Sequence, residues 1–439
     1  MNLPSMAKAK VSRYLKHHEG PLVVWSILAA FGAYFCTYAF RKPYTTGTFS
    51  GVEIGEIEYK TIIIIAQVIG YMLSKFIGVK VISELKAKKR ITLILFLILT
   101  AQMSLILFGL VPAPYNFIFM FFNGLPLGMV WGVIFSFLEG RRFTELLGMG
   151  LSVNMIMTSG ILKTIYKYIQ VQYHFTDFQM PFILGFLFLP LFLFFVWMLS
   201  QIPKPSKAER ADRMARKPMS ERQKKVVWWR FGPGLIFVIL LYAFLTTLRD
   251  FRDNFAVEIW ERIEPGLDPA IFARTESSIA LIVMILIAFL VTIQRNQKAY
   301  LLISLTMLIS MIALFFSTKA YTDHRISATA WMIGLGISFY LPYLLVQIAF
   351  FERLIAVLKI KANAGFFVYL CDSIGYLGSV CLLLYKELMG KEMAYDQLLI
   401  KSAVATAILG FVLAGAQLLF FSSRMKKQSA TSSLIQLAD

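Results

Sequence analysis

The amino-acid sequence predicts an all-α polytopic membrane protein, with twelve transmembrane helices in two six-helix bundles. Three observations carry this. The chain of 439 residues is 58% hydrophobic and only 16% charged, with a mean hydropathy of +0.67, whereas a soluble domain carries about 25% charged residues. Its apolar residues gather in runs of about 20, the length an α-helix needs to cross the hydrocarbon core. One long polar stretch, Gln201 to Arg230, leaves six such runs on either side.

The first run, 21–42, follows Lys8, Lys10, Arg13 and Lys16 and so has the look of a secretory signal. It is about as long as a full span and ends in Arg41-Lys42-Pro43 rather than a small-residue cleavage site, which reads as a retained transmembrane helix. Further runs fall at 60–80, 91–111, 115–138, 146–169 and 180–201, completing a bundle over 1–201. Residues 202–230, rich in Lys, Arg, Glu and Ser, read as a solvated connector that hugs the membrane. The second bundle, 231–439, holds runs at 231–252, 275–294, 299–317, 327–350, 361–386 and 398–422. Between its first two runs, Asp250 to Arg274 reads as a short helix at the membrane interface anchored by Trp260.

Basic residues give the orientation. Lys86 to Arg90, Arg141-Arg142, Lys204 to Arg230, Arg295 with Lys298, Arg353 to Lys361 and both termini fall on one side. The alternate connections are poorer in Lys and Arg, so the positive-inside rule puts the termini and the linker in the cytoplasm, and the protein in the cell (inner) membrane. The same pattern explains a formal charge of +19 without nucleic acid. Three cysteines without CxxC spacing give neither a disulfide framework nor a metal site. No Ser/His/Asp set, phosphate-cradling glycine loop or HExxH sequence occurs, so neither an enzyme nor a cofactor is expected. The expected partners are the lipid bilayer and a small anionic substrate, for a protein acting as a monomer.

The candidate site begins with Tyr34, Tyr38 and Arg41, which share one helical face by their i, i+4, i+7 spacing. Tyr242, Thr246 and Arg249 repeat that spacing nearly half the chain later. An arginine facing hydrocarbon costs roughly 2.5–3.5 kcal/mol, so such residues face a cavity or a bundle interior, and two in matching places suggest a paired anion site. The plainer alternative is that each caps a helix at the membrane surface. Lys75, Asn154 and Lys163 are further polar positions within runs; either lysine could instead snorkel to the interface. Asp372 lies near the middle of its run and is a candidate proton carrier, since an isolated charge there is too costly. Glu139 and Glu352 close two runs beside Arg141, Arg142 and Arg353 and read as braces for loops. Gly124, Pro126, Gly128 and Gly132, with Gly334, Gly336 and Pro342, permit close helix contact or bends.

Twelve helices, a central basic linker and cytoplasmic termini resemble the major facilitator superfamily. Within it, Tyr34 to Lys42 looks like helix 1 of the organophosphate:phosphate antiporters, and Ser74-Lys75-Phe76 is similar to that family's Ser-Lys-Phe in helix 2. Thr247-Leu248-Arg249 and Asn154 fall where that family has its second arginine and a helix-5 asparagine; Met157 and Thr246 replace a histidine and a tyrosine. The resemblance implies exchange of a phosphorylated metabolite for phosphate by alternating access. The residues themselves point to secondary transport of a small organic anion gripped by Arg41 and Arg249. Proton-coupled symport through Asp372 and a transporter-like receptor signalling through a partner are the alternatives.

Overall fold

A computed structural model describes residues 11–83, 85, 87–138, 144–203, 221–360 and 362–436. Lys8, Lys10, Lys86, Glu139, Arg141, Arg142, Lys361 and the linker residues 204–220 lie outside the described residues. Helices α1 (Glu19–Arg41), α2 (Tyr59–Ser83), α3 (Arg90–Leu110), α4 (Ile118–Leu138), α5 (Thr144–Tyr173) and α6 (Met180–Gln201) form one compact unit, which also takes in Leu267–Ser277. The other unit is built from α7 (Glu221–Asn254), α8 (Ala256–Ile263), the rest of α9 (Ala270–Val291), α10 (Asn296–Thr322), α11 (Ala328–Leu345), α12 (Phe351–Leu358), α13 (Ala364–Met389) and α14 (Tyr395–Gln436). Among the described residues, 11 helical spans are long and apolar enough to cross a membrane; α5, at 30 residues, is a further long helix. This is a multi-pass, all-α membrane protein.

Three differences from the sequence reading have physical causes. Helix α7 starts at Glu221, so the last residues of the expected connector are helical; the stretch lacks Gly and Pro, and the Lys224–Glu221 pair at 2.6 Å spans one turn. Trp260 is 3% exposed and is no interfacial anchor: α8 turns it inward, and this short helix packs against α14. Helix α9 starts at Ala270, a turn earlier than the run expected from residue 275.

In the first unit, glycine sets the distance between α2 and α4. A Cβ on Gly124 would stand 2.2 Å from the Gln67 carbonyl oxygen, and one on Gly70 would stand 2.2 Å from that of Phe121. Neither backbone can yield cheaply, so the two helices meet main chain to main chain, as small residues allow in membranes. The same seam encloses a polar network. Gln67 Nε2 donates to Asn123 Oδ1 and to the Arg41 carbonyl, both at 2.7 Å, while Tyr44 donates to Gln67 Oε1 at 2.8 Å. Asn123 Nδ2 in turn donates to the carbonyls of Phe40 and Ala101 at 3.0 and 3.1 Å. Every bond satisfies a group that would otherwise be buried at a cost of one to several kcal/mol.

A second knot closes the C-terminal end of α5. Asp177 accepts from the backbone N–H groups of Thr48 and Phe49 at 2.8 and 3.0 Å, from Tyr166 at 3.0 Å and from Gln170 at 2.6 Å. Phe49, held at φ 51°, inserts its ring among Tyr59, Phe108 and Phe178. Burial pushes the Asp177 carboxyl up, but the bonds from Phe49, Gln170, Tyr166 and Thr48 outweigh it and leave the pKa below the ordinary 3.8. A carboxylate with a depressed folded pKa adds stability above its unfolded value, and that stability is lost as pH falls through the folded pKa. Asp177→Asn is therefore expected to lower the thermal midpoint at neutral pH and to flatten its decline below about pH 4. Unfolding curves of both proteins across pH 3–7 check this; parallel curves would remove the carboxylate's role.

Candidate functional site

The 3.6-residue period places Tyr34, Tyr38 and Arg41 on one face of α1. Both tyrosines are buried, with ring centroids 5.4 Å apart in an edge-to-face arrangement. Arg41 occupies the last turn of α1, and its guanidinium lies 4.0 Å from the centroid of Tyr71 and 5.8 Å from that of Tyr38. Lys75, one turn beyond Tyr71 on α2, sets its Nζ 5.4 Å from the same Tyr71 ring. Two half-buried cations from two helices thus converge on one aromatic ring. The ring quadrupole attracts each by roughly 0.5–2 kcal/mol without cancelling its charge, so an anion arriving here meets a concentrated positive potential. The Gln67 bond to the Arg41 carbonyl fixes the main chain from which that guanidinium extends.

The other two predicted positions of this unit are internal ties. Asn154 donates Nδ2 to the Phe31 carbonyl at 2.7 Å and accepts from Thr158, joining α5 to α1 one turn from Tyr34. Lys163 is 4% exposed and donates to Ser159 Oγ at 2.6 Å; it is buried rather than snorkelling. The structure therefore gathers Tyr34, Tyr38, Arg41 and Lys75, sets Asn154 against the same helix, and holds Lys163 within α5.

In the second unit the repeated triplet keeps its face but acquires different company. Tyr242 donates to Asp372 Oδ1 at 2.5 Å, and its ring stacks on Tyr343 at 4.8 Å. Gln347 Nε2 lies 2.8 Å from Tyr242 OH, 2.9 Å from Tyr343 OH and 3.4 Å from Asp372 Oδ1. Its backbone belongs to a π-helical turn, Val346–Phe350, that follows α11 and its internal Pro342. Arg249 lies 4.4 Å over the Tyr343 ring. Its Nε and Nη2 donate to Asp250 Oδ1 at 3.0 and 2.6 Å. Ser379 on α13 donates to Asp250 Oδ2 at 2.9 Å. Gly375 and Gly378, facing Thr246 and Thr247, bring α13 close enough for that bond.

Sequence reasoning therefore missed Tyr71, Asp250, Tyr343, Gln347 and Ser379. A signal existed for Tyr71, which sits four residues before Lys75 on the same helix face, and for Asp250, a second ionisable residue within a spanning helix. Arg353, beside the Glu352 expected to brace a loop, donates to Asn296 Oδ1 at 2.8 Å and so ties α12 to the start of α10.

Comparison with known proteins agrees with this architecture. A family model described as a family of unknown function (DUF5690) matches residues 43–424. No curated protein matches the chain. Among solved structures, a bacterial homolog of the human lysosomal transporter Spinster, inward-facing and unoccupied, is similar with a TM-score of 0.61 at 13% identity, covering 93% of this chain and 98% of that one. The D-xylose-proton symporter is similar at 0.58 and 12% identity, covering 88% and 96%. The nucleoside transporter NupG is similar at 0.58 and 13% identity, covering 90% and 98%. Likeness at such identity is likeness of fold, and the fold is the twelve-helix major facilitator fold.

Proposed function

We propose that this chain, which belongs to the DUF5690 family and carries the major facilitator fold, is a secondary transporter of a small organic anion working by alternating access. The observation that carries this reading is the pair of cations, Arg41 and Lys75, on the single ring of Tyr71. Arginine suits the task because its planar fork grips an anion at two points, and the Tyr38 hydroxyl, on the same face, adds a donor of adjustable direction. Arg249 plays the lesser part, because an anion reaching it has to compete with Asp250 for the same Nε and Nη2 donors. The Lys/Arg bias of the connections favours a cytoplasmic location for both termini in a cell membrane, and exchange for inorganic phosphate follows from the organophosphate:phosphate resemblance. Screening purified protein for thermal stabilisation by phosphorylated and carboxylated metabolites, followed by uptake into proteoliposomes loaded with phosphate, tests both levels. Stabilisation by neutral solutes alone would overturn the anion reading; uptake indifferent to internal phosphate would overturn exchange.

One observation favours a second coupling mode. Asp372 is buried and receives bonds from Tyr242 and Gln347, an arrangement that could hold or release a proton without unfolding its surroundings. Asp372→Asn keeps the acceptor oxygen but not the titration. If Asp372 carries a proton, this variant is expected to lose uptake driven by a pH gradient while still exchanging substrate across the membrane at equilibrium. Unchanged pH-driven uptake would remove Asp372 from the coupling path.

A further inference from the structure

At the head of α7, well away from Arg249, the second unit holds a cavity of about 240 Å³ between α7 and the start of α13. We infer that it binds the headgroup of an anionic phospholipid. Its rim is cationic: Lys224 and Lys225 both line it, against the single carboxylate of Glu221, which accepts from Lys224 Nζ at 2.6 Å. Its wall is apolar: Phe366, Phe367 and Leu370 of α13 face Trp228 of α7, and Lys224 Nζ sits 5.5 Å from the Phe366 ring.

Depth follows from the neighbouring tryptophans. Trp228 is 44% and Trp229 91% exposed, and tryptophan concentrates where the bilayer meets water. Lys224 and Lys225 lie one turn before them, toward water, and the continuous apolar span of α7 follows them. The cavity thus spans headgroup level, with cations on its aqueous side and aromatic groups on its hydrocarbon side. A phosphodiester attached to acyl chains satisfies both sides at once. A free anion would use the lysines and leave the aromatic wall wet, which is why the occupant assigned is the lipid. Basic pockets beside transmembrane helices recognise anionic headgroups by this combination.

The test uses the full-length protein in vesicles of phosphatidylcholine alone and of equal parts phosphatidylcholine and phosphatidylglycerol, with acyl chains of one lipid brominated at a time. Tryptophan quenching by the brominated lipid is read for wild type and for Trp228→Phe, whose difference isolates Trp228 from the chain's other six tryptophans. Brominated phosphatidylglycerol is expected to quench Trp228 in preference to brominated phosphatidylcholine. Each Lys→Gln change, at 224 or 225, should reduce that preference about fivefold, the worth of one basic residue near an anionic surface. Both side chains reach the surface, so the variants should keep the wild-type thermal midpoint. Equal quenching by the two lipids, a preference unchanged in the double variant, or displacement of the lipid by inorganic phosphate at constant ionic strength would each overturn the assignment.

Discussion

Arg41→Lys is expected to weaken binding of the transported anion about thirtyfold, since a charge-assisted hydrogen bond is worth roughly 2 kcal/mol and a point charge forfeits one of the two the fork makes. The change keeps the cation over Tyr71, so general electrostatic attraction survives and the loss reports geometry. Arg249→Lys is expected to cost less, because Asp250 already occupies its fork. Affinities of wild type, the two single variants and the double variant, measured by titration calorimetry with a stabilising ligand, separate the possibilities. Losses from the two changes that simply add would assign them to independent roles; a double loss smaller than the sum would mean one anion is shared. Near-silent substitutions at both positions would reduce the arginines to caps at the membrane surface, where lysine serves equally well.

Asp250→Ala is expected to destabilise the protein by about 3–5 kcal/mol, because it leaves a buried guanidinium without its carboxylate. Arg249 and Asp250 side chains are 9% and 12% exposed, so water can do little to replace the lost partner. Ser379, which donates to the other carboxylate oxygen at 2.9 Å, is left with the Gly375 carbonyl at 3.2 Å as its acceptor. Removing both charges, in Arg249→Met with Asp250→Ala, should restore most of the stability, since apolar replacement of a whole buried pair is often close to neutral. Chemical unfolding of the purified proteins measures all four corners of this cycle. A double variant no more stable than Asp250→Ala would show that the carboxylate acts through Ser379 and α13 rather than through the ion pair.

The spans were legible because the bilayer imposes a length and a composition that few other environments demand. Arg41, Tyr38 and Lys75 were legible for a related reason: a cation in an apolar run is expensive, and helical spacing says which residues share its face. Tyr71 was a different matter. Its role as a shelf for Arg41 depends on where α2 stands, which is set by packing against a third element, α4, through Gly70 and Gly124. The Arg249–Asp250 contact ran against the pattern used to read helices, because adjacent residues point about 100° apart on a helix and meet only when a long side chain folds back. Trp260 misled for the opposite reason. A tryptophan beside a span suggests the interface by frequency, but α8 is packed under α14 and its tryptophan follows the packing. The two triplets share their spacing in the sequence, and their environments diverge at the next residue, Lys42 in one and Asp250 in the other.

The π-helical turn at Val346–Phe350 has a consequence for how this chain tolerates insertions and deletions. A π turn holds one more residue than the α-helical turn it replaces, so Gln347 owes its angular position to an extra residue in the helix. Deleting one residue from that turn would let ordinary α-helix run from α11 into α12 with little harm to its hydrogen bonding. The helices on either side would keep roughly their present phase, because the extra residue is absorbed within the one turn; the change would fall on the turn itself and shift Gln347 against Tyr242, Tyr343 and Asp372. A frame-preserving loss of a single codon here would therefore act locally, leaving folded helices on both sides and only the contacts of the turn displaced.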